Sequence, residues 1–171
     1  MERQAALADF EAARQEWEAA FGRVPDAALR YLKQGDDYAL GGLQVHVNWV
    51  LVHYLRVLYA LMAGGFAPAG PQDPPGEAEE ARAEAKRGLT VTERRKELEA
   101  MSRLHSTVVD ACSALPASDW SREASVVYGE GEDPYPTRPE DLVAWLADHY
   151  REHVQQSAGL VEEWKAAGAP A

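Results

Sequence analysis

The sequence has a single cysteine, Cys112, which excludes an internal disulfide framework and any cysteine-rich zinc module. Basic residues are also in the minority, because 17 Lys and Arg stand against 28 Asp and Glu for a net charge of -11. Such a surface repels phosphate groups, so nucleic acid and anionic membranes are not expected partners. The first residues alternate charge with alanine instead of forming the apolar region of a signal peptide, which favours a cytoplasmic protein.

Long uninterrupted apolar runs are missing as well. The most apolar stretch, residues 43–62, contains His46, Asn48, His53 and Arg56, which a lipid bilayer would bury at a cost of several kcal/mol. We therefore predict a core helix here and not a membrane span. At 171 residues the chain has the length of one domain, and we expect a single domain over residues 1–171.

Apolar residues recur at three- and four-residue steps in four long segments, which is typical of amphipathic helices. The predicted helices cover about residues 7–21, 39–63, 92–115 and 137–164. Two-residue alternation is absent, and the VVY stretch at 126–128 is too short to form a sheet. The sequence therefore predicts an all-α protein, a four-helix bundle.

The connection between the second and third long helices is unusually long. It begins with a segment that holds four of the ten prolines, and residues 77–87 within it form a predicted, largely solvated helix. A crossover of roughly 28 residues lets the two flanking helices run parallel.

Two local patterns predict helix starts. The Gly-Asp-Asp run at 35–37 offers capping groups for the second long helix, and Thr137 with Glu140 is a capping box for the last.

Histidine is the chemically unusual feature of the predicted core. The five histidines all fall on inward faces of the long helices: His46, His53, His105, His149 and His153. A single core histidine is more often hydrogen-bonded to a neighbouring polar group than bound to a metal. Five of them weaken that explanation, because each buried imidazole needs a partner and one divalent ion satisfies several at once.

His149 and His153 give the strongest local signal, since residues four apart on a helix lie on one side and can chelate one ion. The second helix offers a third ligand, but His46 and His53 are about 10.5 Å apart along its axis, so only one can join. Spacing does not choose between them. Zinc-protease and ferritin-like di-iron sites are excluded, because the Glu that each requires near its histidines is missing.

Two stretches resemble the DinB/YfiT-like superfamily, which includes relatives of the metal-binding domain of mycothiol-dependent maleylpyruvate isomerase. In that family a Trp-Ser-x-x-Glu-x-Leu-x-His motif opens the second helix, and an HxxxH pair lies in the last. YALGGLQVH at 38–46 keeps the spacing, with Tyr38, Ala39 and Gly42 in place of Trp, Ser and Glu, and HYREHVQQ at 149–156 matches the second motif.

The resemblance implies an up-down-down-up bundle in which His46, His149 and His153 hold Zn, Ni or another divalent ion. It also implies that His53 and His105 are core residues or lie behind the ligands. Bundles of this kind often pair through an outer helix face, so we expect a homodimer.

Three functions are open. A metal held by three neutral imidazoles keeps its +2 charge and activates a bound thiol or water. The resemblance ranks first a thiol-dependent S-transferase that uses a low-molecular-weight thiol on a small-molecule substrate. The alternatives are a metal-dependent hydrolase and a non-catalytic, stress-associated bundle. No general acid or base is identifiable, because Glu152 lies on another side of the helix than the two histidines and Cys112 is expected to be a buried, inert thiol.

Overall fold

A computed structural model describes residues 2–168, which form five α-helices and one small sheet. The helices are α1 (Arg3–Gly22), α2 (Gly42–Ala63), α3 (Glu77–Arg87), α4 (Val91–Ala114) and α5 (Pro139–Ala166). The predominance of helix confirms the all-α prediction in its main point. Each of the four long helices and the shorter α3 coincides with a predicted segment to within a few residues.

The long helices surround an apolar core, and α3 lies outside it. Helix α1 packs against α5, while α2 contacts α3, α4 and α5. Within α1 the buried side chains follow the predicted helical period: Ala6, Phe10, Ala13, Trp17 and Phe21. Helix α3 buries only Ala85 among its residues, as expected for a largely solvated helix. Helix α2 is the one helix within residues 2–168 whose length and composition would allow a membrane span, and half of its most apolar window is buried inside the protein.

A chain of buried polar side chains connects α1, α2 and α4. The indole Nε1 of Trp17 donates to Oε1 of Gln44 at 2.8 Å, and Nε2 of Gln44 donates to Oδ1 of Asn48 at 2.9 Å. Asn48 in turn donates through Nδ2 to Oε2 of Glu97 at 2.7 Å. Buried groups of this kind are costly to leave unpaired, so the chain fixes the rotation of α2 about its own axis.

Helix α2 begins at Gly42, and the predicted cap from residues 35–37 is wrong. Gly41 is the N-cap, and no side chain hydrogen-bonds there. The preceding backbone is used instead to hold other segments, since Ala39 N donates to Ala85 O and Gly41 N donates to Leu29 O, both at 3.0 Å. These tertiary bonds replace a local cap, which is why the helix starts later than residue 39.

Gly42 marks a close approach between α2 and α3. A Cβ at this position would lie 1.7 Å from the carbonyl oxygen of Ala85, far inside van der Waals contact. Only glycine therefore allows the end of α3 to rest against the first turn of α2.

The start of α5 also differs from the predicted capping box. Thr137 belongs to a strand, and Arg138 is the N-cap of α5, with Pro139 as the first helical residue. The backbone N–H of Arg138 donates to Oδ2 of Asp141 at 3.1 Å. The carboxylate that closes the first turn is thus Asp141 and not Glu140, one residue further along the chain.

A two-stranded antiparallel sheet, which we did not predict, joins α4 to α5. Strand β1 (Ala124–Val126) pairs with β2 (Tyr135–Thr137), and Val126 also forms a bridge to Ala69 in the proline-rich connection. The prediction that residues 126–128 are too short for a sheet is wrong. Val126 is fully buried, and each strand has only three residues, which is too short for a two-residue alternation to indicate it.

Candidate metal centre

Helices α2 and α5 bring three of the five histidines together. His46 lies near the start of α2, and His149 and His153 lie one turn apart on the inward side of α5. Donor nitrogens from the three rings all lie within 4.8 Å of one another, and this is the group of ligand-type side chains in residues 2–168 with the geometry for a metal ion. Its members are the three residues predicted as ligands. We refer to them as the three-histidine cluster.

The spacing within the cluster fits a tetrahedral ion. Nε2 of His149 lies 3.2 Å from Nε2 of His153. Two imidazole nitrogens at the usual zinc distance of about 2.1 Å would lie roughly 3.4 Å apart in a tetrahedral arrangement. The His46 ring centroid lies 5.0 Å from that of His149 and 5.2 Å from that of His153. The third ring is therefore close enough to complete one side of the same site.

Gln156 fixes the tautomer of His153. Its side-chain oxygen Oε1 lies 2.7 Å from Nδ1 of His153, and an amide oxygen only accepts, so Nδ1 carries the proton. In the neutral ring Nε2 then has a free lone pair, and it is this atom that faces His149. Metal-binding histidines typically donate their other N–H to an oxygen in this way. Gln156 ends the HYREHVQQ stretch, but the sequence alone did not indicate this role.

Burial keeps the cluster neutral. Desolvation, with a smaller effect of His153, lowers the pKa of His46 to about 4, and the same causes lower the pKa of His149 to about 3. Desolvation also lowers the pKa of His153, against the opposing effect of its hydrogen bond to Gln156. Near neutral pH all three rings are therefore neutral, which is the state that binds a metal. The donor set suits zinc, nickel and similar divalent ions.

A small cavity lies beside His46, between α2 and α3. Its volume is about 30 Å³, and it is lined by Tyr38, His46, Trp49, Ala78, Ala81 and Arg82. The Tyr38 ring stacks on the imidazole of His46 with 4.5 Å between centroids. Trp49 also lines this cavity. The cavity thus lies between one member of the cluster, His46, and three residues of α3.

The other two histidines lie elsewhere and each faces a carboxylate. His53 is separated from the cluster by Trp49, on which it stacks, and its Nδ1 lies 2.5 Å from Oδ2 of Asp73. His105 is buried against Phe10, and its Nε2 lies 3.0 Å from Oε2 of Glu11. The sequence did not indicate Asp73 and Glu11, because helical period predicts which face of a helix is buried but not which side chains of other segments contact that face.

Two further expectations concern groups that do not take part in the cluster. Cys112 is buried, and burial raises the pKa of its thiol to about 12, so it is an inert core residue. Glu152 is exposed, as expected for a solvated charge between two inward-facing residues. Tyr150 is buried beside Phe10 and His105, away from the cavity.

Comparison with known proteins shows the family and the fold of this chain. The DinB superfamily model matches residues 5–157. The crystal structure of the mycothiol-dependent maleylpyruvate isomerase superposes with a TM-score of 0.68 at 11% sequence identity, covering 90% of this chain and 60% of that one. At that identity the likeness shows a shared fold, and this chain spans less than two-thirds of that protein. No curated protein sequence matches. Since the family model extends over most of its length, the chain belongs to the DinB superfamily.

Proposed function

We propose that this protein is a metal-dependent enzyme of the thiol-dependent S-transferase type. His46, His149 and His153 would hold a zinc or nickel ion, and a low-molecular-weight thiol would react there with a small electrophilic substrate. The observation that supports this most directly is the convergence of three neutral imidazoles within 4.8 Å, with no carboxylate among them. A divalent ion bound by such a set keeps its +2 charge, lowers the pKa of a bound thiol toward neutrality and leaves a position for it.

The chain's own residues would organise the reaction around that position. Gln156 holds His153 in the tautomer that presents Nε2, and Tyr38 restrains the His46 ring by stacking. Trp49 stacks between His46 and His53, and three residues of α3 line the cavity on the opposite side from α2. The thiol preference comes from the fold neighbour, whose name states its dependence on mycothiol.

Metal content is the first test. Protein purified without a His-tag and incubated with zinc or nickel should retain about one ion per chain, and His149→Ala should retain almost none. His53→Ala is a matched control, because it removes a helix α2 histidine outside the cluster and should bind as the wild type does. Less than about a fifth of an ion per wild-type chain, or normal binding by His149→Ala, would refute the proposal.

Turnover of a generic electrophile distinguishes the reaction types. Product formation that requires both metal and an added low-molecular-weight thiol supports transfer. Ester or amide cleavage without thiol would replace the proposal with a hydrolase, and a loaded protein without any turnover would favour a non-catalytic bundle.

We further propose that the four long helices run up-down-down-up in a single domain over residues 1–171 of a cytoplasmic homodimer. The crossover between α2 and α4 supports the parallel placement of these two helices. Spin-label distances between their matching ends test this order, light scattering tests the dimer, and a single cooperative unfolding transition tests the single domain.

A further inference from the structure

The cavity beside His46 has a positively charged wall. Of the six residues that line it, Arg82 on α3 is the one basic residue, and the other two from α3 are the small Ala78 and Ala81. The volume of about 30 Å³ is close to that of one water molecule. The Arg82 side chain is exposed, so it can turn to admit a larger group.

Arg82 has no acidic partner in residues 2–168, although four glutamates share its helix. Arg87, on the same helix, pairs with Glu84 and Glu93, and Arg56 of α2 pairs with Glu77. The guanidinium of Arg82 is thus left without a counter-charge at the wall of the cavity. Trp49 also lines the cavity, and its buried Nε1 has no hydrogen-bond acceptor in the described structure.

The charge balance of the site favours an anion. Three neutral ligands would leave the +2 charge of an ion uncompensated, and Arg82 adds a further positive charge beside it, although the whole chain carries -11. The planar guanidinium fork matches a carboxylate, which it binds through two parallel hydrogen bonds. A ligand with a negative group would therefore be bound more tightly beside the ion and Arg82 than a neutral ligand of the same size.

We propose that Arg82 is a specificity-determining residue that binds a carboxylate of the ligand entering the three-histidine site. The inference rests on the proposed function, because it assumes that a thiol or an electrophile reaches the metal there. The carboxylate belongs either to the thiol or to the electrophile. A solvated surface arginine, in contrast, would give no dependence on ligand charge.

Cobalt-loaded protein provides the test, because a thiolate bound to cobalt gives a charge-transfer absorption band. The affinities of 3-mercaptopropionate and 2-mercaptoethanol, which differ by a carboxylate, are measured for the wild type, Arg82→Gln and Arg87→Gln. The ratio of the two affinities should fall about tenfold in Arg82→Gln and stay unchanged in Arg87→Gln. Arg82→Lys should recover part of the ratio, because it restores charge without the fork.

A second titration assigns the carboxylate to the electrophile. Succinate is added to protein saturated with 2-mercaptoethanol, and its affinity is measured for the wild type and Arg82→Gln. If Arg82→Gln weakens succinate binding about tenfold but leaves the ratio of the two thiol affinities unchanged, the carboxylate belongs to the electrophile.

Cobalt content is measured first in every variant. If the wild type takes up no metal, the proposed function and this inference are both overturned. If metal and thiols bind but neither titration responds to Arg82→Gln, the inference alone is overturned and the metal site stands.

Discussion

The three-histidine cluster and the two outlying histidines use the same side chain in opposite settings. His53 faces Asp73 and His105 faces Glu11, so each has a carboxylate within 3.0 Å. The cluster histidines face one another, and no ion pair to a carboxylate reaches them within residues 2–168. A carboxylate oxygen thus lies against a ring nitrogen of each outlying histidine, whereas the cluster rings have one another as neighbours. The difference shows which histidines have nitrogen lone pairs directed at one another, and it is this group that we propose as the metal site.

Metal-dependent stabilisation is the largest expected difference between the two settings. At a free zinc concentration about 100 times Kd, binding should raise the free energy of unfolding of the wild type by about 2.7 kcal/mol. His153→Ala should lose that increase because it removes a ligand, and His53→Ala should keep it. Urea unfolding with and without zinc measures the increment within each variant, so any loss of intrinsic stability cancels. Equal increments in both variants would contradict the assignment.

Acid should destabilise the metal-free protein through the cluster. In the folded chain the pKa values of His46 and His149 are about 4 and 3, against 6.5 for the free side chain. Between about pH 6.5 and pH 5 the unfolded chain therefore binds protons that the folded chain does not, and stability falls as the pH falls. The slope is at most about 1.4 kcal/mol per pH unit for each such histidine.

Urea unfolding at about pH 7 and pH 5 measures this effect, and carboxylates contribute little in that window. His149→Gln should lose less stability on acidification than the wild type, because it removes one of the titrating rings. His105 also contributes, since burial lowers its pKa to about 4 despite Glu11. If the unfolding free energy of His149→Gln falls with pH as steeply as that of the wild type, burial does not lower the pKa of His149 in the folded protein.

The smallest expected effect concerns Gln156, which orients a ligand and is not one. Gln156→Ala should lower zinc affinity about tenfold, because Nδ1 of His153 loses the oxygen that fixes its tautomer. Gln155→Ala is the matched control, since Gln155 is an exposed neighbour of the same size. Chelator competition gives both affinities, and equal values would mean that Gln156 does not position the ring.

Helical period was enough to predict most of the fold and the pairing of His149 with His153, but not the third member of the cluster or the carboxylates beside the other two histidines. The four-residue step from His149 to His153 is a property of one helix, so the sequence contains it directly. The choice of His46 over His53 depended on the family resemblance, because both occupy the same face of α2. Asp73 and Glu11 came into contact with histidines only through tertiary packing. The start of α2 was missed for the same reason, since Ala39 and Gly41 hydrogen-bond to distant segments, whereas the sheet was missed because its strands have only three residues each.

Gly42 determines how closely the backbone of α3 approaches the backbone of α2 beside the cavity. It stands where the family motif has Glu, and the absence of a side chain lets Ala85 approach the first turn of α2. Arg82 lies about one turn before Ala85 on α3 and lines the cavity with His46, so the same contact holds the segment that carries Arg82 close to α2. The position of α3 beside His46 therefore depends on Gly42, a residue that is not among the proposed ligands.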